Sequence, residues 1–328
     1  MYSIGLDISK STINVYVPCN NLDLVIDNNI QAIKQLYSKL KKLYKKDIDK
    51  LIFIYEPTGN YSSALKSFCA NKNIKCFIIN PKQSSNFAKA LGNKTKTDKI
   101  DARMLSSAIS LANKKDIKIP VINILYEELQ ELMIYKSLII KQKTQCMNHL
   151  ESKQYNNSTY LVNKLRKKIE ILQKEEEEIL EKIKTLLKTD NKLYESFLNL
   201  QTIKRVGEKI AIELLLHFIK YSDANKKQIV SLAGLEPVHR ESGSSYKTKS
   251  RISKSGSVSC RSALFMAVFS YKQLNLQFVE FYERLEKQGK PTNVIKVALM
   301  RKLLVVAHSL YKNNEIYDES KYSNENTI

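Results

Sequence analysis

Apolar and polar positions alternate with a period of two over residues 3–9 (SIGLDIS) and 12–17 (TINVYV), which predicts two short strands joined by a tight polar turn at Lys10 and Ser11. A third strand is expected near Leu22 to Ile26, so the chain opens with antiparallel pairing. The period then lengthens. A helical pattern covers Ile30 to Tyr44, an unbroken apolar run LIFIY (51–55) predicts a buried strand, a helix follows from Tyr61 to Asn71, and KCFII (75–79) predicts another strand. From the second helix onward strand and helix alternate as in βαβ units, so the first 120 or so residues predict a mixed sheet flanked by helices.

After Pro120 the pattern becomes that of long charged helices, from about Ile124 to His149, then a polar break at 154–159 (QYNNST), then a second run. In that run Ile169, Leu172, Ile179, Ile183 and Leu186 recur at three- and four-residue spacing, as in a helical hairpin or coiled coil. An amphipathic helix in an ordinary bundle has the same pattern, and either reading makes the region a spacer or a dimerisation arm. From Leu193 to Asn313 lies a third, more apolar helical region, and the polar tail 314–328 is expected to be disordered. The boundaries expected from these shifts are 1–122, 123–192, 193–313 and 314–328.

Composition narrows the chemistry. With 54 Lys+Arg against 33 Asp+Glu in 328 residues, the formal charge is +21, which asks for a polyanionic partner and makes nucleic acid the default. No long apolar run and no signal peptide are readable, so no membrane association is expected and the chain is expected in the cytosol. The five cysteines (Cys19, Cys69, Cys76, Cys146, Cys260) are scattered without a C-x2-C pair and are expected as reduced core residues. The four histidines (His149, His217, His239, His308) are too dispersed to predict a metal cluster.

The acids are more informative. Asp7 lies in or just after the apolar strand GLDIS, and Glu56 ends LIFIYEPTG before a Pro-Thr-Gly turn. Carboxylates at strand ends sit where ligand sites form, whereas a buried one without a partner costs several kcal/mol. In KTKTDKIDARML, Asp98 and Asp101 share a helix face, with Lys96, Lys99 and Arg103 around them. If the four acids converge, they repel one another until a cation or proton intervenes, and hard oxygen ligands select Mg²⁺ or Mn²⁺. The chemistry indicated is phosphoryl transfer. Singly, each acid has an ordinary alternative as a turn cap, an ion-pair partner or a solvated helix start.

A second feature is the segment 240–261, RESGSSYKTKSRISKSGSVSCR, with six Lys or Arg against one Glu. Its small residues admit phosphates to backbone amides, and Arg240, Lys247, Lys249, Arg251, Lys254 and Arg261 can neutralise them. A flexible basic loop is the alternative. Upstream, LQTIKRVGEKIAIELLLHF predicts two helices joined by a tight hairpin at Gly207, which either grips a DNA phosphate through backbone N–H groups or packs as plain core.

GLDISK, YEPTGNY, NPKQSSNFAKALGNKTKTDKIDA and SLAGLEPVHRESGSSYKTKSRISKSG, in that order and spacing, resemble the DEDD transposases of the insertion-sequence-110 family, whose relatives include pilin-gene inverting recombinases. The resemblance implies an α/β ribonuclease-H-like domain of the Holliday-junction-resolvase branch, a helical coiled-coil hairpin and a mainly α C-terminal transposase domain. It makes Asp7, Glu56, Asp98 and Asp101 the four metal-holding acids and Ser242 a serine nucleophile that forms a covalent phosphoserine link to DNA. Among the serines at 242, 244, 245, 250, 253, 255, 257 and 259, only the family match chooses. It also implies donor and target double-stranded DNA, a guide (bridge) noncoding RNA that pairs with both, and a homo-oligomer (a dimer or a tetramer of dimers); because the acids and the serine lie on either side of the long helical arm, a composite site between protomers is a separate hypothesis that the residues leave open. Two other readings remain open on the residues alone: a Mg²⁺-dependent nuclease or junction resolvase without a covalent intermediate, and a basic helical scaffold without catalysis.

Overall fold

The computed structural model describes residues 1–92, 98–155, 159–238, 241–242, 246–247 and 251–322, the side chains of 98, 154–155, 241–242, 246–247 and 322 excepted. The chain divides into two compact units, Met1–Asn123 and Ile124–Ile328.

The first unit is a six-stranded mixed sheet in the order β3-β2-β1-β4-β5-β6. β1 (Tyr2–Ile8), β2 (Thr12–Val17) and β3 (Leu22–Asp27) form the antiparallel meander that the alternation predicts. β4 (Leu51–Tyr55) and β5 (Lys75–Ile78) then add in parallel, and β6 (Ile117–Lys118) closes the edge antiparallel. Each of the two faces has its own core. Ile4, Leu6, Ile8, Phe53 and Tyr55 pack with Ile33, Leu36 and Leu40 of α1 (Ile30–Tyr44) and with Leu65 and Phe68 of α2 (Ser63–Asn71). On the other face Ile52 and Ile54 pack with Met104 and Leu105 of α4 (Asp98–Ser107), with Phe87 of α3 (Pro81–Ala90) alongside. The short polar α3 is a helix the hydrophobic pattern does not announce; Asn80 caps it and Pro81 presets its first turn.

The second unit is helical. α5 (Ile124–Tyr155) and α6 (Thr159–Leu187) pair as a hairpin, with Ile139 and Cys146 against Leu172. Buried Glu176 holds this pair together, accepting from Lys143 and, at 2.6 Å, from Lys209. The same hairpin contributes Leu129, Met133, Leu180, Ile183 and Leu187 to the core of the remaining helices, so it is one body with them rather than a detached spacer. That core is completed by α7 (Asn191–Gln201), α8 (Glu208–Lys220), α9 (Lys226–Leu232), α10 (Val258–Phe269), α11 (Leu276–Lys287) and α12 (Thr292–Asn313). Between α9 and α10 run four two-residue strands, β7 (Pro237–Val238), β8 (Glu241–Ser242), β9 (Tyr246–Lys247) and β10 (Arg251–Ile252). The apolar positions around Gly207 are core, with Leu200, Ile203, Val206, Ala211 and Leu214 all buried.

Two expectations are revised. The described part of the polar tail is docked, not disordered: Tyr317 N–H donates to Thr202 Oγ1 at 2.8 Å, Glu319 accepts from Leu276 N–H at 2.9 Å, and α13 (Glu319–Tyr322) closes the described chain. Polar side chains there find partners on the helical core, which composition cannot foresee. Among the cysteines Cys19 is exposed, while the other four are free and buried. Among the described residues no helix is long and apolar enough to cross a membrane.

His217 and His308 are only 4% and 3% exposed in the second core, and burial lowers both imidazoles to about 4. The folded pKa lies below the unfolded one, so between about pH 6.5 and 4 the unfolded chain takes up protons that the native chain refuses. Stability is therefore full at neutral pH and falls as the pH drops through that window, by roughly 3 kcal/mol per ring at the limit. Urea midpoints at pH 7.5 and 5 measure this, and His308→Leu, which removes one titration, is expected to flatten the dependence.

Candidate active site

The parallel register pairs Leu6 of β1 with Tyr55 of β4, so the next step sets Asp7 beside Glu56 at the carboxyl ends of adjacent strands. Alternation along each strand then decides which face they share. Ile4, Leu6 and Ile8 point to the α1–α2 core, which leaves Ser3, Gly5 and Asp7 facing α4. On β4, Ile52 and Ile54 pack towards α4, and Glu56 continues their series.

α4 lies directly on β1. Ser106 Oγ donates to the carbonyl of Ser3 at 2.9 Å, and a Cβ on Gly5 would stand 1.9 Å from the carbonyl oxygen of Ala102. Contact this close is possible only where no side chain intervenes. The helix thus runs opposite to β1, its first turn directed towards the strand end that carries Asp7. Four helical residues rise about 6 Å and two strand residues about 6.6 Å, so position 98 stands level with position 7, and Asp101 follows on the same helix. The fold therefore brings positions 7, 56, 98 and 101 to one edge of the sheet. Among the described residues no three Asp, Glu, His or Cys side chains close into a ready cation site; the side chain of Asp98 lies outside that description. Carboxylates about 4 Å apart repel by roughly 4 kcal/mol at an effective dielectric of 20 until a cation joins them.

Arg103, expected at a nucleic-acid contact, is engaged within the fold. Its Nε and Nη2 donate to the Asp23 carboxylate at 3.0 and 2.5 Å, and its guanidinium stands 5.1 Å from the Tyr16 ring. The Arg103 hydrogen bonds hold the Asp23 carboxyl below the usual carboxylate range. The pair ties α4 to β2 and β3 and fixes the helix over the strand ends. Lys99 is exposed, and Lys96 lies outside the described residues. The sequence reading misses these anchors, Gly5, Ser106 and Asp23; a glycine inside an apolar strand was the available signal.

In the second unit Ser242 lies in β8, opposite Tyr246 of β9. Arg240, Lys249, Ser244, Ser245 and Ser250 fall outside the described residues, as does the side chain of Lys247 in β9. The segment leaving β10 is stitched to the loop after α9: Ser253 N–H donates to the Glu236 carbonyl at 3.0 Å, Lys254 N–H to Gly234 at 3.1 Å and Ser257 N–H to Leu232 at 3.1 Å. Gly234, at φ +68°, and Gly256 meet backbone to backbone; a Cβ on Gly256 would lie 2.1 Å from the Leu232 carbonyl. Arg261, also expected on nucleic acid, donates instead to the carbonyls of Ala233 and Gly256, both at 2.9 Å. Arg251 and Lys254 remain exposed. Ser257 caps α10, and Ser253 and Ser255 bond to each other, so these later serines have structural partners.

A family model for the DEDD domain of IS110 elements, described as "Transposase", matches residues 4–153, and a second, "Transposase IS116/IS110/IS902 family", matches 198–283. The chain is 28% identical over 327 residues to the pilin gene-inverting protein of Moraxella bovis, covering 96% of this chain and 97% of that one. It is 29% identical to its counterpart from Moraxella lacunata over the same span. Both the acid-bearing unit and the Ser242 region fall inside the matched segments, and the chain belongs to the IS110 family of DNA transposases and recombinases.

Proposed function

We propose that this transposase works through a ribonuclease-H-like first unit in which Asp7, Glu56, Asp98 and Asp101 hold Mg²⁺ or Mn²⁺, and through Ser242 as the nucleophile towards DNA. The observation that supports the metal reading is the register that sets Asp7 and Glu56 at adjacent strand ends beneath the first turn of α4. The donor set fits the ion: carboxylate oxygens alone, without imidazole or thiolate, suit a hard divalent cation. When bound, such an ion neutralises charge on the scissile phosphate and lowers the pKa of an attacking or leaving oxygen.

The chain's own part is otherwise positional and nucleophilic. α4, locked by Gly5, Ser106 and the Arg103–Asp23 pair, holds two acids against the strand end. The Ser242 hydroxyl oxygen attacks phosphorus, the O–P bond to serine forms, the bond to one DNA oxygen breaks, and that oxygen leaves with a proton as a free hydroxyl. The phosphodiester energy is kept in the phosphoserine bond for rejoining, so exchange needs no ATP. Exposed Arg251 and Lys254 beside this region contact phosphates. A guide RNA that pairs with donor and target supplies the sequence choice, leaving the protein to read backbone and shape.

The test is a trapped reaction with donor, target and the RNA that co-purifies with the protein. A denaturing gel should show a covalent protein–DNA adduct that Ser242→Ala eliminates and that ribonuclease treatment prevents. Free phosphate ends without an adduct would instead point to metal-dependent hydrolysis, and adduct persisting in Ser242→Ala would assign the nucleophile elsewhere.

A further inference from the structure

α10 is apolar on every side, which normally means burial all round. One side is buried, through Cys260, Ala263, Leu264, Ala267 and Val268. The other is open to solvent: Val258, Phe265, Met266 and Phe269 are 71, 40, 58 and 58% exposed and lie along one side of the helix. The Phe265 and Phe269 rings lie 6.1 Å apart, and the Lys296 ammonium of α12 stands 5.7 and 4.9 Å from their centroids. Neither α10 nor α12 contains a carboxylate, while α12 carries Lys296, Arg301, Lys302 and Lys312. The stripe begins where the basic segment 240–261 ends, with Arg251 and Lys254 exposed just before it.

We propose that this face is a stacking platform for unpaired bases of a DNA strand opened next to the Ser242 region. The inference rests on the reading of the chain as a strand-exchanging recombinase, since exchange must unpair bases near the attacked phosphate. Exposed rings offer π-faces to bases of any sequence, and the neighbouring cations hold the backbone that links them. A duplex cannot use such rings, because its bases are already stacked on one another. A second copy of the chain would bring two stripes flanked by Lys296 together, which like charge opposes.

The experiment is fluorescence anisotropy on the full-length protein with labelled 20-nucleotide single-stranded DNA, the same sequence as duplex, and as RNA. Phe265→Ala/Phe269→Ala is expected to weaken single-stranded DNA binding roughly tenfold per ring, about a hundredfold together, with duplex affinity nearly unchanged. Phe265→Tyr/Phe269→Tyr, which keeps the rings, should bind as wild type and so excludes loss of fold. Lys296→Ala should weaken binding less and reduce its salt dependence by about one phosphate contact. The proposal is overturned by wild-type protein that does not bind single-stranded DNA, an alanine variant that binds it normally, equal losses on strand and duplex, or a larger loss on RNA than on DNA. Conversion of an oligomer to monomer by the alanine variant alone would assign the face to a second copy, and overturns it too. Because Asp7→Asn tests the recombinase reading separately, normal single-strand binding by Phe265→Ala/Phe269→Ala alongside an inactive Asp7→Asn protein would refute this inference alone.

Discussion

Asp7→Asn is expected to lower strand exchange by about a thousandfold, while DNA binding and cooperative unfolding persist. The substitution keeps the size of the side chain and removes one full negative charge from the strand edge where the four acid positions meet. Ion-mediated charge stabilisation is worth several kcal/mol at the transition state, and each 1.36 kcal/mol is a factor of ten. Asp101→Asn should fall into the same range. The double variant should be little worse than either single one, because residues that act as a unit lose their effect together. The measurement is the single-turnover rate with labelled donor and target; an Asp7→Asn protein that exchanges strands at the wild-type rate would remove the acids from the chemistry.

Gly5→Ala, a substitution that touches no acid, should be nearly as damaging. The added methyl would stand 1.9 Å from the Ala102 carbonyl oxygen and 2.6 Å from the Ser106 amide, both backbone atoms of a packed helix. No flexible side chain can yield there, so α4 must move away from β1. Overpacking of this kind costs roughly 1–3 kcal/mol of stability. The catalytic loss is of similar size, since a displacement of about 1 Å in a reacting group costs on the order of a hundredfold. Circular dichroism melting and the exchange rate report the two effects. Gly207→Ala is the control: nothing lies within 4 Å of the added atom, and at this helix N-cap the cost stays near 1 kcal/mol or below. Near-wild-type activity in Gly5→Ala would show that the contact between α4 and β1 does not position the acids.

Much of this molecule is legible in the order of its residues, and the reason is local. Strand and helix periods report which side of an element is buried, so β1 to β5 and the helices α1, α2, α5 and α6 follow from spacing alone. A charged residue that ends an apolar run is equally visible, which is why Asp7 and Glu56 stand out. Several features are invisible at that level because they depend on partners far away in the chain. Arg103 reads as a cation awaiting phosphate until Asp23, 80 residues earlier, takes its hydrogen bonds. Arg261 likewise meets carbonyls at 233 and 256. The tail composition speaks of disorder, yet specific hydrogen bonds from the helical core fix its first residues.

The sequence by itself determined the order of the elements, the identity of the acids and the concentration of positive charge at 240–261. Tertiary structure alone decided that α4 crosses β1 at Gly5, that four acid positions share one sheet edge, and that half of an apolar helix, α10, faces solvent. Periodicity measures how residues relate along one element, whereas a site is made by which elements the packing lays against each other.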